Sequence, residues 1–164
     1  MVEGLERPAA GDPRRCAAIR EMAQMEALNR EELLVFLNGM LEAERAGAKA
    51  LLHISKQTDR PDVSELAKAI HLDEAKWCAM LTKAIRKLDG QPSDRTGQFY
   101  EKVMAVPDIC GRLALVNRGQ DWVVKKLREA IPRITDPQLA ADLTIMLTSH
   151  EENIATVARS GLID

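Results

Sequence analysis

With 164 residues, the chain suits one domain burying about two-thirds of the surface its unfolded form exposes. Hydrophobic residues at 46% and charged residues at 29% exclude a disordered chain, and aromatics at only 3% beside abundant Ala, Leu, Glu, Lys and Met favour helix over sheet. A formal net charge of −2 with no basic stripe argues against nucleic acid or an anionic membrane surface as partner.

Cys16, Cys78 and Cys110 form no CxxC pair, and an odd set of three fits a reducing compartment better than a disulfide framework. No apolar run approaches the roughly 20 residues a spanning helix needs, and the N-terminal stretch MVEGLERPAAGDPRR has no apolar signal core. A cytoplasmic location is the resulting expectation.

Residues 1 to about 14 hold Gly4, Pro8, Gly11 and Pro13 and read as a mobile lead-in. From about Arg15 to Ala27, a weak amphipathic pattern of Ala17, Ala18, Ile19, Met22 and Met25 suggests a short accessory helix able to cover an apolar edge. Residues 1–28 are thus an extension and 29–164 the main domain. Its first helix should start after Asn29, a good cap, with Glu31 and Glu32 in the positive first turn, and end at QTDRPD. Its stripe runs Leu33, Leu34, Leu37, Leu41, Glu44, Ala48, Leu51, while Glu42 falls off it toward solvent. The second main helix opens with Asp62 and Glu65 at capping-box spacing, carries Ala67, Ile70, Glu74, Trp77, Leu81, Ala84 and Leu88, and stops at Gly90.

A linker from Asp89 to Val106 is too long for a tight turn, and Phe99, Tyr100, Val103 and Met104 suggest a short helical turn across one end of the domain. Pro107 then reads as the first-turn proline of a third helix with stripe Ile109, Leu113, Val116, Gln120, Val123, Leu127, Ile131, closed by Pro132. Asp136 and Pro137 announce a fourth, running to about Arg159 before Gly161 with stripe Leu139, Leu143, Met146, His150, Asn153 or Ile154, Val157. The expected fold is all-α: a four-helix bundle with a long crossover between its second and third helices.

Each stripe is interrupted at mid-length by a polar group: Glu44, Glu74, Gln120 and His150. An unpaired carboxylate in a core costs several kcal/mol or changes its pKa to neutralise, so four such breaks at similar depth imply a shared internal polar site. Two carboxylates and an imidazole suit one divalent metal, iron, manganese or zinc, with an amide oxygen of Gln120 or Asn153 as further donor. His71 and Cys78 flank Glu74 on one helix and could reach the same neighbourhood, though a free cysteine more often packs as a small apolar group. Trp77 and Trp122 can fill core volume, and Trp77 is placed to pack against the site and donate its N–H to a carboxylate.

These residues resemble those of the ferritin-like superfamily, bacterioferritins most closely. The stretch LNGMLEAERAGA, Leu37 to Ala48, is similar to that family's first-helix segment, where a Leu-Asn pair precedes a glutamate ligand by one and a half turns; Glu44 falls on that glutamate. The stretch LDEAKWCAMLTKAIRKLDGQP, Leu72 to Pro92, is similar to its second helix, with Glu74 on the glutamate of a Glu-x-x-His motif and Trp77 on its histidine. LREAI, Leu127 to Ile131, resembles the end of the third helix and puts Gln120 where a glutamate is expected. SHEENI, Ser149 to Ile154, resembles the fourth-helix motif, with His150 at the glutamate position and Asn153 at the histidine position.

Of the ligand positions this implies, only Glu44 and Glu74 keep their residue type, so neither a standard di-iron ferroxidase nor an iron-storage cage is expected. The resemblance implies instead a ferritin-like bundle, paired as a homodimer, with a remodelled single-metal site of Glu44, Glu74 and His150. Gln120, Asn153, Trp77, Cys78 and His71 would be its neighbours. The competing expectation is a metal-free structural or interaction bundle whose polar residues close a hydrogen-bond network among themselves.

Overall fold

The computed structural model describes residues 12–163, and within them every regular element is helical. Of the lead-in expected over residues 1 to about 14, residues 1–11 lie outside the described residues, and Pro13 already opens a helix. A short helix α1, Pro13–Gln24, is capped by Asp12, whose side chain accepts from the Arg14 amide. Its Ala17, Ala18 and Ile19 are exposed, so on these residues it covers no apolar edge. Four long helices follow: α2 (Arg30–Gln57), α3 (Pro61–Lys87), α5 (Ile109–Ala130) and α6 (Pro137–Arg159), with a six-residue α4 (Phe99–Met104) in the crossover. A single 3-10 turn, Ile131–Arg133, contains Pro132 and ends α5.

Helix ends follow local chemistry, in three places not the one expected. Asn29 closes a full capping box with Glu32, and the Asp136 carboxylate accepts from the amides of Gln138 and Leu139 ahead of Pro137. For α3 the Asp62–Glu65 box does not form: Pro61, with its fixed φ, takes the first helical position, so the helix starts ahead of Asp62 and leaves it inside the first turn paired with Arg60. For α5, Pro107 stands outside the helix and Asp108 is the cap, accepting from the Gly111 amide. At the end of α3 the left-handed residue is Asp89 (φ 55°), not Gly90; a Cβ on Gly90 would lie 2.4 Å from Leu34 Cδ2 and 3.1 Å from the Ile85 carbonyl, so Leu34 packs directly over the glycine.

The long helices form a closed ring of neighbours, α2 on α3 and α5, and α6 on α5 and α3. Their apolar stripes make two separate cores. One joins Leu37, Leu41, Trp77, Leu81, Leu127, Leu143 and Met146; the other joins Leu51, Ile54, Val63, Ile70, Val103, Leu113, Val116 and Val157. Each fully buried Leu, Ile or Val contributes about 1.5–3 kcal/mol. Chain order through these cores gives direction: α2 and α6 pass from the first to the second, α3 and α5 from the second to the first. Because α3 and α5 are parallel, the chain must return the length of the domain between them.

That return path, from Leu88 to Gln98, is fastened along α2. Arg30 donates to the carbonyls of Leu88 (2.9 Å) and Asp89 (3.0 Å), and Asn38 donates to Gln91 O and accepts from Ser93 N (2.7 Å). Arg45 donates to Arg95 O, and Gly97 N donates to Glu42 O. Glu42, expected in solvent, is instead partly buried and accepts from the Ser93 hydroxyl, with Arg95 beside it at 3.5 Å. Replacing Asn38 with Ala removes both of its bonds to the strap, and a loss of about 1–2 kcal/mol is expected in urea unfolding, with the helical circular-dichroism signal retained.

Candidate metal centre

Between the two apolar cores lies a polar layer with one residue from each long helix. Glu44 follows Leu41, Glu74 separates Ile70 from Trp77, Gln120 separates Val116 from Val123, and His150 follows Met146. All four are buried, with 1–3% of their surface exposed. One ligating atom from each of Glu44, Glu74 and His150 lies within 4.8 Å of the others, close enough for one ion to bridge them.

The bonding around His150 fixes how its ring is used. Nδ1 faces the Met146 carbonyl one turn back on α6 at 3.0 Å, and a nitrogen facing a carbonyl must carry hydrogen. Nε2, 3.1 Å from Glu44 Oε1, is therefore the atom left to hold a proton against that carboxylate or to give a lone pair to a cation. A backbone acceptor on the second ring nitrogen is the usual way a ligating histidine is held in its tautomer.

The carboxylates are less satisfied. Glu44 Oε2 and Glu74 Oε2 are buried without a hydrogen-bond partner, and among the described residues neither acid is paired with Lys or Arg. Burial, with the charges of Glu44 and Asp73 added, holds the Glu74 carboxyl well above its ordinary 4.5. For His150, burial favours the neutral ring, but Glu44, its hydrogen bond and the Met146 carbonyl outweigh it, leaving the pKa above 6.5. Room for the Glu74 head comes from the facing helix: a Cβ at Gly47 would stand 2.2 Å from Glu74 Oε2. Gly47 is thus a cradle for a carboxylate, one turn beyond Glu44 on α2.

The other expected neighbours divide. Gln120 reaches the layer, yet its amide nitrogen and oxygen are both without partners, so the polar residues do not close a network among themselves. Asn153 is turned away and donates to Asp73 Oδ2 at 3.2 Å. His71 Nδ1 bonds the Ala48 carbonyl at 2.7 Å. Cys78 packs at the edge of the first core, its thiol pushed up to about 12 by burial and by Glu44, which makes it a poor nucleophile at neutral pH. Trp77 joins that core, but its indole N–H meets no carboxylate and has no partner. Trp122, expected as core filler, is 47% exposed, because its neighbour Val123 takes the inward position.

A cavity of about 470 Å³ opens beside the layer. Glu44, Glu74, Gln120 and His150 form its inner polar wall, Ala43, Leu115, Val116 and Val123 line it with apolar surface, and Glu42, Lys102 and Arg118 also border it. The crossover closes one side with Gly97, Gln98 and Phe99, the Phe99 ring lying where a Cβ on Gly119 would come within 2.6 Å. Sequence periodicity located the polar layer but carried no signal for Gly47 or for this cavity.

Two measurements probe the layer. Gly47→Ala should push the Glu74 head aside and so forfeit the gain of about 0.5–1 kcal/mol that Ala brings to a helix, whereas in a Glu74→Ala background the same change should give that gain. The second concerns pH in chelator-treated protein. A carboxyl raised in the fold costs nothing below about pH 4.5 and destabilises increasingly above it; a raised imidazole stabilises fully below about 6.5 and loses that contribution as pH rises through its folded value. Both act in one direction, so thermal stability should fall between about pH 6 and 8, and Glu74→Gln should flatten the decline.

Among the described residues no helix is long and apolar enough to cross a membrane. Neither a curated protein nor a solved structure matches the chain. A family model described as "Domain of unknown function (DUF6306)" matches residues 31–159, a span that begins in α2, ends with α6 and includes Glu44, Gly47, Glu74, Gln120 and His150. Covering well over half of the sequence, this match places the protein in that family: it belongs to the DUF6306 domain family.

Proposed function

We propose that this chain is a ferritin-like bundle that holds one divalent metal ion at Glu44, Glu74 and His150. The observation that carries the reading is the convergence of three buried ligating atoms within 4.8 Å, two of them on carboxylates with an orphaned oxygen and no basic partner. Four long helices in a ring, parallel α3 and α5 joined by a long crossover, and the Glu44 and Glu74 positions of the first and second helices support the ferritin-like assignment. The donor set of two carboxylates and one imidazole suits iron, manganese or zinc, and an ion so held would supply Lewis acidity, and redox chemistry in the case of iron or manganese. The chain's own part is to fix the His150 tautomer through Met146, to keep Glu74 in the Gly47 cradle and to keep most bulk water from the layer.

A metal-free reading is favoured by one contact, the 3.1 Å approach of His150 Nε2 to Glu44 Oε1. With His150 protonated and Glu74 neutral, the layer carries no net charge. With a divalent ion, two carboxylates and a neutral ring it carries none either. The two states exchange up to two protons for one ion, so metal affinity should rise with pH as Glu74 and His150 give up their protons. Elemental analysis after loading with iron, manganese or zinc should find about one ion per chain, falling below roughly a tenth in His150→Ala. Less than a tenth in the parent protein, together with a melting temperature unmoved by chelators, would establish the metal-free reading instead.

A further inference from the structure

Gln120 is the polar residue the metal reading leaves unused. It is 98% buried on α5, it lines the cavity, and neither its amide nitrogen nor its amide oxygen has a hydrogen-bond partner among the described residues. A buried amide left open on both sides costs more than the apolar side chain that would fit the same place. The cavity beside it, about 470 Å³, falls within the size of small-molecule sites; Ala43, Phe99, Leu115, Val116 and Val123 give it apolar surface, and Glu42, Gln98, Lys102 and Arg118 also border it. Trp122 stands at the same wall, half exposed.

We infer that this cavity binds a small neutral organic molecule with an apolar body and one head group that both donates and accepts a hydrogen bond, such as a primary amide or an alcohol, the head seated on Gln120. The head chemistry follows from what is missing. An ammonium head would satisfy the Gln120 oxygen and leave its NH2 unpaired. A carboxylate head would do the reverse, pairing the NH2 and leaving the amide oxygen open, in a wall whose acids Glu42, Glu44 and Glu74 outnumber its bases Lys102 and Arg118. Only a head with both functions pairs both amide atoms. The apolar body then covers the surface between Ala43 and Val123, and its far end reaches Trp122. No metal is needed for this binding, which therefore stands apart from the preceding proposal.

The test is titration of the full-length protein, as purified and after chelation, with octanamide, octanoate and octylamine at pH 7.5. It would be followed by calorimetry and by NMR of the Trp122 indole and Gln120 side-chain amide signals. Octanamide should bind saturably with a micromolar dissociation constant in both preparations, shift both sets of signals, and bind at least about tenfold more tightly than the other two. Gln120→Leu should weaken octanamide at least about tenfold while raising the melting temperature, since it removes an unpaired buried amide. Ala43→Phe, which fills the cavity, should abolish binding. Absence of saturable octanamide binding, tighter binding of octanoate or octylamine, or an unmoved Gln120 amide signal at saturation would each overturn the inference; the NMR readout holds even if a variant does not fold. Metal uptake without octanamide binding defeats this inference alone, and octanamide binding without metal uptake defeats only the metal assignment.

Discussion

Two acids buried beside one another without a lysine or arginine partner impose the strongest constraint on this molecule. Burial of Glu44 and Glu74 at 2% and 3% exposure forces the layer to hold positive charge from some other source. Within the layer itself that charge can be protons, on His150 and Glu74, or a cation, since Lys102 and Arg118 border the adjoining cavity without pairing with either acid. The residues around the pair make sense under either. Gly47 leaves space for an acid head, Met146 offers a carbonyl that fixes the imidazole, and Asp73, whose charge reaches the layer, is itself tied to Asn153. The layer also splits the apolar interior in two, so the four helices meet through a polar plane at mid-height and not through one continuous core. Any slip of one helix by a turn would set a charged group against leucine, which ties helix register to the same residues that carry the chemistry.

The crossover is the second determinant. Parallel α3 and α5 require it, and its course is decided by α2, where Arg30, Asn38, Glu42 and Arg45 repeat along one face and hold its backbone. Strap and cavity are thus one construction: the segment fastened at Ser93 and Gly97 delivers Gln98 and Phe99 to the cavity wall, where α4 begins.

Much of this was legible in the sequence, for one reason: a polar residue in register with leucines at 3-and-4 spacing has to face the interior. Glu44, Glu74, Gln120 and His150 were visible on that ground, and so were the caps at Asn29 and Asp136, which act over a single turn. What escaped depends on partners far away along the chain. His71 and Asn153 share the inner flank of their helices but are diverted by Ala48 O and Asp73, and no local pattern distinguishes them from ligands. Glu42 looked solvated because its partners lie some fifty residues on, and Gly47 looked like an ordinary small helix residue because its reason is a carboxylate on α3. Trp122 was misplaced for a simpler cause, since a neighbouring valine already held the inward position. The Asp62–Glu65 box failed to a competing local rule, a proline at the first helical position.

One consequence reaches from the strap to the buried acids. The passage by which solvent, ions or small molecules could approach the carboxylates is bounded on one side by irregular backbone, and that backbone is held by side chains such as Arg30 and Asn38 that stand well away from the acids in the chain. Irregular segments open at lower free energy than packed helices. The wall of the cavity on this side thus depends on a handful of peripheral polar fastenings, so that a change at the periphery can loosen the approach to the buried acids without touching the acids themselves.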